Sequence, residues 1–460
     1  MKSLTDPSQA LSTGLAKIRT EFHVPVGFPA DVLAAAETAA KKVPDQHADR
    51  TATPFVTLDP AASTDLDQAF SIEASGGDLL LHYAIADVAW FVEDGGPLDL
   101  EAWARGETFY LPDGKASLYP PVIAEGAASL LPDGPRPAVI FTVRVAQDGA
   151  AKLDGAERAI IRSRAKLAYD SVQASDVPAG FAEMARRVAA NEQARGASRV
   201  DPPEQEVERL ADGTFRLSFR PQLQSEQDNA ALSLAANMAI ADAMLAHHTG
   251  LFRVMSGPDA AKVERLRNAA QALGLSWPAA TGLRDYQRTL DPADPKQAAL
   301  MLEIRRAGNG ASYQTYREGI IPWHEAMAAT YAHATAPLRR LADRYVVRCA
   351  LAIANGQPVP QAVIEAFDKL PKVMGRADSR AAQINHAAID LAEAVMLNGR
   401  EGQIFKAVVT DIADHGVRVQ LADMPVVATV KASGLRQGDG LTLRLVSADP
   451  DQRSIVFEPA

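Results

Sequence analysis

The sequence predicts an α+β chain that ends in a small β-barrel. Three observations carry this. Short apolar or alternating runs, separated by Asp, Ser and Gly clusters, fill residues 54–92 and return at 138–153. Apolar residues then recur at helical spacing from Ala230 to about Leu397. The last sixty or so residues switch to about five short strands between Gly and Asp turns, the pattern of a Greek-key barrel of the OB type.

Taken in order, "SQALSTGLAKIRTEF" reads as one helix. "HVPVGFPADVLAAAETAAKKV" reads as an extended Pro-containing piece and then an Ala-rich helix, closed by Pro44 and "DQHADR". "FVTL", "AFSIEA" and "LLLHYAIAD" are the first strands, with Gly76 and Gly77 as punctuation. After Gly95-Gly96-Pro97 comes a helical piece, "LDLEAWARGE", and then "TFYLPDG". "AVIFTVRVAQDGAAKL" is a hairpin turning at Asp148-Gly149, and "AIIRSRAKLAYDSV" continues it. "AALSLAANMAIADAMLAHH", "PDAAKVERLRNAAQALGL" and "DPKQAALMLEIRRAG" follow as helices with Asp or Pro starts. Asn398-Gly399-Arg400 marks the boundary before the barrel.

Composition sets limits. With 460 residues and 47% hydrophobic content the chain builds a large core and more than one domain. A net charge of −10 and a pI near 5.5 argue against a protein that coats nucleic acid through a diffuse basic surface. They leave room for a nuclease, whose basic channel can sit inside an acidic exterior. No run approaches the ~18–20 consecutive apolar residues of a membrane span, so no membrane partner is expected. The N-terminus lacks the apolar segment and cleavage site of a secretory leader. The single cysteine, Cys349, fits a reducing cytoplasm and reads as core within "RYVVRCALAIA".

The chemistry concentrates in "VTLDPAASTDLDQAF", which holds Asp59, Asp65 and Asp67. In an extended loop, residues two apart face the same way, so Asp65 and Asp67 address one site while Asp59 approaches from a strand end. Hard oxygen ligands at this density suit Mg²⁺ or Mn²⁺ rather than Zn²⁺. The spacing is not that of an EF-hand. On spacing alone the stretch lies nearer to a solvated turn, because Pro, Ser, Thr and Asp all form turns. Asp87 reads either as the N-cap of "VAWFV" or as a residue behind a metal site.

"YAHATAPLRRLADRYVVR" is the second cluster. Pro337 suits a first helical turn, which would place Arg339 and Arg340 there and Arg344 and Arg348 on one stripe below Arg340. An arginine at a helix N-terminus opposes the dipole, so one kept there makes sense beside a phosphate. The competing reading is a salt-bridged surface helix with Asp343 as a partner. Carboxylates, a phosphate-binding arginine and an OB-type tail together suggest metal-assisted phosphoryl chemistry on nucleic acid.

These blocks resemble the ribonuclease II family of exoribonucleases. "TLDPAASTDLDQAF" is similar to the family's signature, in which an Asp is followed six residues later by D-x-D-D. "LHYAIADVAWFV", "FYLPDG" and "YPPVIAEGAASLLPDGPRPAVIFTVRV" resemble the blocks that follow it. "YAHATAPLRRLADR" resembles H-F-T-S-P-I-R-R-Y-x-D. The resemblance implies a mixed sheet flanked by helices over 51–397, a short helical region over 1–50, and an RNA-binding OB-fold over 398–460. It implies a processive, hydrolytic 3'→5' exoribonuclease that takes the 3' end of single-stranded RNA, releases nucleoside 5'-monophosphates and acts as a monomer. By position, Asp59, Asp65 and Asp67 bind one or two Mg²⁺, or Mn²⁺, with Asp65, Asp67 and Arg339 catalytic. Arg339 and Arg340 hold phosphate, and Tyr110 stacks on a base. In the tail, Phe405 and His415 stack on RNA, while Lys406 and Arg418 contact phosphates.

Three departures stand out. The family's fourth acid is Gln68 here, which offers an amide oxygen without charge. Ala336 and Leu341 replace the usual Ser and Tyr. Fewer than 55 residues precede the signature and they read as helical, where relatives carry two cold-shock domains. That implies a more open channel mouth, tolerant of structured RNA, with a helix-turn-helix-like unit in their place. Two alternatives stay open: an RNA-binding member crippled by Gln68, and a metal-dependent endonuclease or phosphodiesterase.

Overall fold

The computed structural model describes residues 9–197, 204–210, 213–220, 222–291, 294–308, 310–413, 416–436 and 438–460. Its centre is a five-stranded mixed sheet. Residues 68–75, 78–86, 136–145 and 151–161 run antiparallel in that spatial order, and the two-residue strand Ala48–Asp49 adds in parallel at the edge. The sequence explains the turns. Gly76, at φ +62°, turns the first hairpin without a Cβ clash, and Gly149, at φ +78°, turns the second.

Helices Gln224–Ala246 and Leu341–Ala354 pack on the long hairpin strand Ala151–Ile161 and close the main core. Gln224–Ala246 is long and apolar enough to cross a bilayer by length and composition, but it is a core helix. Its Asn237 Oδ1 accepts the Ala334 N–H at 2.9 Å inside the fold. Cys349 is buried in the Leu341–Ala354 helix, and burial pushes its thiol up to about 12, so it serves packing. Asp87 stands at the N-cap position of the short helix Val88–Phe91 without capping it. Its Oδ2 instead accepts from His47 Nε2 at 3.1 Å and pairs with Arg158 Nε at 3.0 Å.

The two N-terminal helices, Ala10–Glu21 and Ala30–Ala39, form where expected. They do not pack on each other as a helix-turn-helix would. Val32 and Ala36 join the main core, whereas Leu11, Leu15 and Ile18 join a second core. In that second core lie Phe109, Leu111 and Ala116 of one hairpin and Leu391 of the long helix Gln361–Leu397. Contact is close enough that a Cβ at Gly14 would lie 2.5 Å from a Leu391 methyl. Arg19 adds a fork to Asp113 at 2.8 and 3.2 Å, so the first helix braces the hairpin Phe109–Leu111/Gly114–Ala116.

The tail is a five-stranded antiparallel barrel, ordered 427–430, 416–421, 404–413, 440–449, 454–459, with its two ends in contact. Bulges at Val409/Asp411 and Leu445/Ser447 supply the curvature. Glu393 of the long helix ties the barrel down. It accepts from Gln205 Nε2 at 2.6 Å and from Val427 N–H at 2.8 Å. Burial lifts its carboxyl from 4.5 to about 7, against those two donors. The folded state therefore holds this proton more tightly than the unfolded chain. Stability from this group falls as pH rises from about 4.5 to about 7. Glu393→Gln keeps the acceptor and removes the charge. It should leave stability unchanged near pH 4 and raise it by about 2–3 kcal/mol at pH 8, read from urea midpoints at both pH values.

Candidate active site

Four separate pieces of chain meet at one edge of the main sheet. The first is the stretch 56–70. Strand Thr57–Asp59 pairs in parallel with Lys166–Ala168, which fixes Asp59 at its end. Beyond an irregular loop the chain enters strand Gln68–Ser75. Leu66, between the two aspartates, is fully buried, and its N–H donates to Ser129 Oγ at 2.9 Å. Asp67 N-terminally adjoins the strand, and its carbonyl accepts from Ala86 N–H at 2.9 Å.

The second piece is the arginine turn. The helix begins at Leu341, so Arg339 and Arg340 precede it instead of forming its first turn. Asp343 builds this turn. Its carboxylate accepts the Ala336 N–H at 2.8 Å and receives Arg340 bidentately at 3.0 and 2.7 Å. The neighbouring arginines thus divide. Arg340 is held inward, Arg344 pairs with buried Asp99 and Arg348 with Asp94. Arg339 stays half-exposed, with Nε 3.5 Å from Asp67 Oδ2. The Leu338 N–H donates to Asp67 Oδ1 at 2.7 Å.

The third piece is the braced hairpin, stitched to the turn by Thr108 N–H donating to the Arg339 carbonyl at 2.9 Å. Tyr110 is directly opposite Lys115 in its register, so both side chains leave on one face. The Tyr110 ring is 54% exposed. Its phenol is raised by its surroundings and by Asp65, with Arg339 opposing, which places the hydroxyl among the site's charges. Lys115 Nζ bridges Asp65 Oδ1 at 2.8 Å and Glu125 Oε1 at 3.0 Å. Glu125, on the one-turn π-helix Ile123–Ala127, is the fourth contribution.

The electrostatics are those of crowded, buried acids. Burial lifts Asp59 to about 7. Arg339 opposes this, Asp65 adds to it and Lys166 opposes it. Burial lifts Asp67 to about 8, against Arg339 and the Leu338 amide and with Asp343 and Asp65 adding. Such carboxylates lack enough positive charge for their depth. Among the described residues, however, no three His, Cys, Asp or Glu side chains close into a ready-made cage. Asp65 is held by Lys115, and one oxygen of Asp67 is held by an amide. Gln68 Oε1 accepts the hydroxyl of buried Tyr83. This partial oxygen set fits Mg²⁺, which binds through one or two carboxylates and completes its shell with water and substrate phosphate.

The structure thus brings Asp59, Asp65, Asp67, Gln68, Tyr110 and Arg339 together. Arg340 is turned away into Asp343. Phe405 is elsewhere, half-buried in the barrel with its edge on Phe457 and under the Arg400 guanidinium. Lys406 and Arg418 are exposed on that barrel, and His415 lies outside the described residues. Sequence reasoning missed Lys115, Glu125, Lys166 and Tyr83. Lys115 was findable: the Pro112-Asp113 turn sets Tyr110 opposite Lys115 by counting outward.

Comparison with known proteins adds independent support. A family model described as RNB domain matches residues 48–355, and one described as RNase II-type exonuclease C-terminal S1 domain matches residues 403–460. The chain is 24% identical to ribonuclease R of Aquifex aeolicus over 95% of its own length and 69% of the relative's. It is 29% identical to exoribonuclease 2 of Yersinia enterocolitica over 84% of its own length and 63% of the relative's. It therefore spans roughly two thirds of these relatives. Among solved structures, Mycoplasma genitalium RNase R in complex with ribose methylated single-stranded RNA matches with TM-score 0.86 at 18% identity, covering all of this chain and 79% of that one. The same enzyme in complex with double-stranded RNA gives 0.83 at 19%, with 100% and 85% covered. Yeast Ssd1, a pseudonuclease, gives 0.68 at 15%, with 98% and 58% covered. These likenesses establish the mixed-sheet core and the barrel tail. With the RNB model covering more than half of the sequence and the S1 model covering its tail, the chain belongs to the RNB family of ribonuclease II and ribonuclease R.

Proposed function

We propose that this protein is a hydrolytic, processive 3'→5' exoribonuclease that degrades RNA to nucleoside 5'-monophosphates with a divalent cation, Mg²⁺ or Mn²⁺. The observation that carries this is the junction of buried Asp67, half-exposed Arg339 and exposed Tyr110 on three mutually hydrogen-bonded pieces of chain. Asp59, Asp65 and Asp67 hold the cation, and Gln68 contributes an uncharged oxygen at most. When bound, the ion polarises a phosphoryl oxygen and makes water nucleophilic at neutral pH.

The chain's own residues do the rest. Arg339 neutralises charge developing on the scissile phosphate, its guanidinium already placed beside Asp67. Tyr110 stacks on a base near the 3' end without reading its identity. The single-stranded 3' end is the partner, and the complexes of the Mycoplasma relative support RNA as the substrate class. The barrel, with exposed Lys406 and Arg418, grips RNA upstream. Tolerance of structured RNA and a monomeric state belong to the same proposal.

Incubation of the protein with 5'-labelled single-stranded RNA and Mg²⁺ tests it. Conversion of full-length RNA to short 5'-labelled end products with 5'-monophosphate release supports the proposal, and a ladder of intermediates would support 3'→5' trimming without processivity. Retention without cleavage marks an RNA-binding member without nuclease activity, and internal cuts mark an endonuclease. Tyr110→Ala should weaken binding of a short oligonucleotide by about 1–3 kcal/mol, roughly 5- to 150-fold, while Tyr110→Phe keeps near-native affinity. Fluorescence anisotropy with a 5'-labelled RNA in chelator reads both variants.

A further inference from the structure

The Lys115 ammonium lies within the acid cluster. It contacts Asp65 at 2.8 Å and Glu125 at 3.0 Å, and its side chain is mostly covered. The hairpin that delivers it is fixed. The Arg19–Asp113 fork holds its turn, the first helix packs behind it, and the arginine turn is hydrogen-bonded to its base. Lys115 is therefore a placed charge.

We propose that Lys115 is a resident cation of this site, occupying Asp65 in place of a second divalent ion and so narrowing the ligand set given above to a single ion on Asp59 and Asp67. This rests on the metal-dependent reading above. Two arguments carry it.

The first is steric and electrostatic. A divalent ion on Asp65 Oδ1 would have to approach within about 2.1 Å of an oxygen whose ammonium partner is already in hydrogen-bond contact. The two cations would then repel at short range in a partly desolvated setting.

The second is charge balance. The cluster holds four carboxylates, Asp59, Asp65, Asp67 and Glu125. Facing them are three cations, Arg339, Lys115 and Lys166. Asp343, the other acid near Asp67, is neutralised by Arg340. The ionised cluster thus carries one net negative charge among the described residues. One divalent ion and one phosphodiester bring it to neutrality, whereas two ions would leave it doubly positive. Gln68 agrees with this balance, since its amide adds no charge and its oxygen is engaged by Tyr83.

The test counts Mn²⁺ bound to the full chain without RNA, by electron paramagnetic resonance of free Mn²⁺ during titration. Wild type should bind one ion. Lys115→Met should bind a second ion, or bind the first at least about tenfold more tightly, and Lys115→Arg should match wild type. Lys115→Gln replaces Lys115→Met if thermal melting shows the latter unfolded. Unchanged number and affinity in Lys115→Met, or two ions of similar affinity in wild type, overturns the proposal. So does a Lys115→Met protein that loses RNA affinity with unchanged ion binding, which would make Lys115 a phosphate contact. Asp67→Asn separates the underlying reading: if it binds Mn²⁺ as tightly as wild type, the ion is not in this cluster and the metal assignment itself fails.

Discussion

Asp67→Asn is expected to abolish RNA cleavage, by on the order of 10³-fold or more, while the protein becomes more stable. Both effects come from one buried carboxylate. The asparagine keeps an oxygen for the Leu338 N–H, so the arginine turn stays docked on the strand. What it loses is the charge. An amide neither holds a cation through charge nor attracts the Arg339 guanidinium, now 3.5 Å from the acid. Several kcal/mol of transition-state charge stabilisation therefore go, which is about three orders of magnitude in rate.

The gain in stability follows from the same burial. The folded carboxyl titrates near 8 against 3.8 unfolded. The unfolded chain releases this proton first, so ion-free stability falls as pH rises from about 4 to about 8. The substitution removes that slope, and its benefit is largest at and above pH 8. Single-turnover cleavage, RNA anisotropy and a melt in chelator at pH 5 and pH 8 check the three parts. Native-like cleavage would remove Asp67 from the site. A mutant less stable than wild type at pH 8 would show that the carboxylate is not paying a desolvation cost.

Asp99→Ala is expected to cost about 3–5 kcal/mol of folding stability, the largest stability effect anticipated outside the site. Arg344 is 1% exposed and Asp99 5%. The pair is embedded in hydrogen bonds. Tyr345 OH donates to Asp99 Oδ1 at 3.1 Å, Gly95 N–H to Oδ2 at 2.8 Å, and Arg344 Nη1 reaches Tyr119 OH at 3.4 Å. Removing the acid strands a guanidinium that cannot lose its proton. Replacing both partners is gentler than replacing one, because an apolar pair carries no stranded charge. Asp99→Ala/Arg344→Met should therefore be more stable than Asp99→Ala alone, as urea midpoints will read. Equal losses in the two proteins would mean that packing, not charge, dominates. Arg344 lies one turn into the helix that follows the arginine turn. This pair is thus the foundation under Arg339.

The arginines also show how far the sequence reaches. Spacing puts three of the four in "LRRLADRYVVR", Arg340, Arg344 and Arg348, on one basic stripe. Three turned out to be consumed by Asp343, Asp99 and Asp94, and those partners lie 3, 245 and 254 residues away. Only the near one was visible by spacing. The remaining two depend on Asp94 and Asp99, on either side of Gly95-Gly96, which no local rule connects to residues 344 and 348. Asp87 behaves similarly. Its position at a helix start was legible, but its side chain is held by His47, just before the strand Ala48–Asp49, and by Arg158 of the strand Ala151–Ile161, and caps no helix N–H.

Local patterns decided the elements themselves. Alternation and glycine turns placed strands at 69–74 and 79–87 and a hairpin over 138–153, and helical spacing placed a helix from Ala230 and a helical block ending near Leu397, each falling on elements of the structure. Strand period and turn chemistry gave the barrel tail. These depend on interactions between near neighbours, which the sequence writes directly. Ordered motifs gave the acid strip and Arg339 as candidates.

Tertiary structure alone decided the charge state of the site. The depth of Asp59 and Asp67 and the arrival of Lys115 at Asp65 depend on segments tens to hundreds of residues apart, and the capture of Gln68 by Tyr83 depends on which face of their hairpin is buried. Desolvation and Coulomb forces act through space and fall off with distance, not with sequence separation. The sequence therefore set which acids were available. The fold set how much positive charge they already have, and so how much is left for an ion to supply.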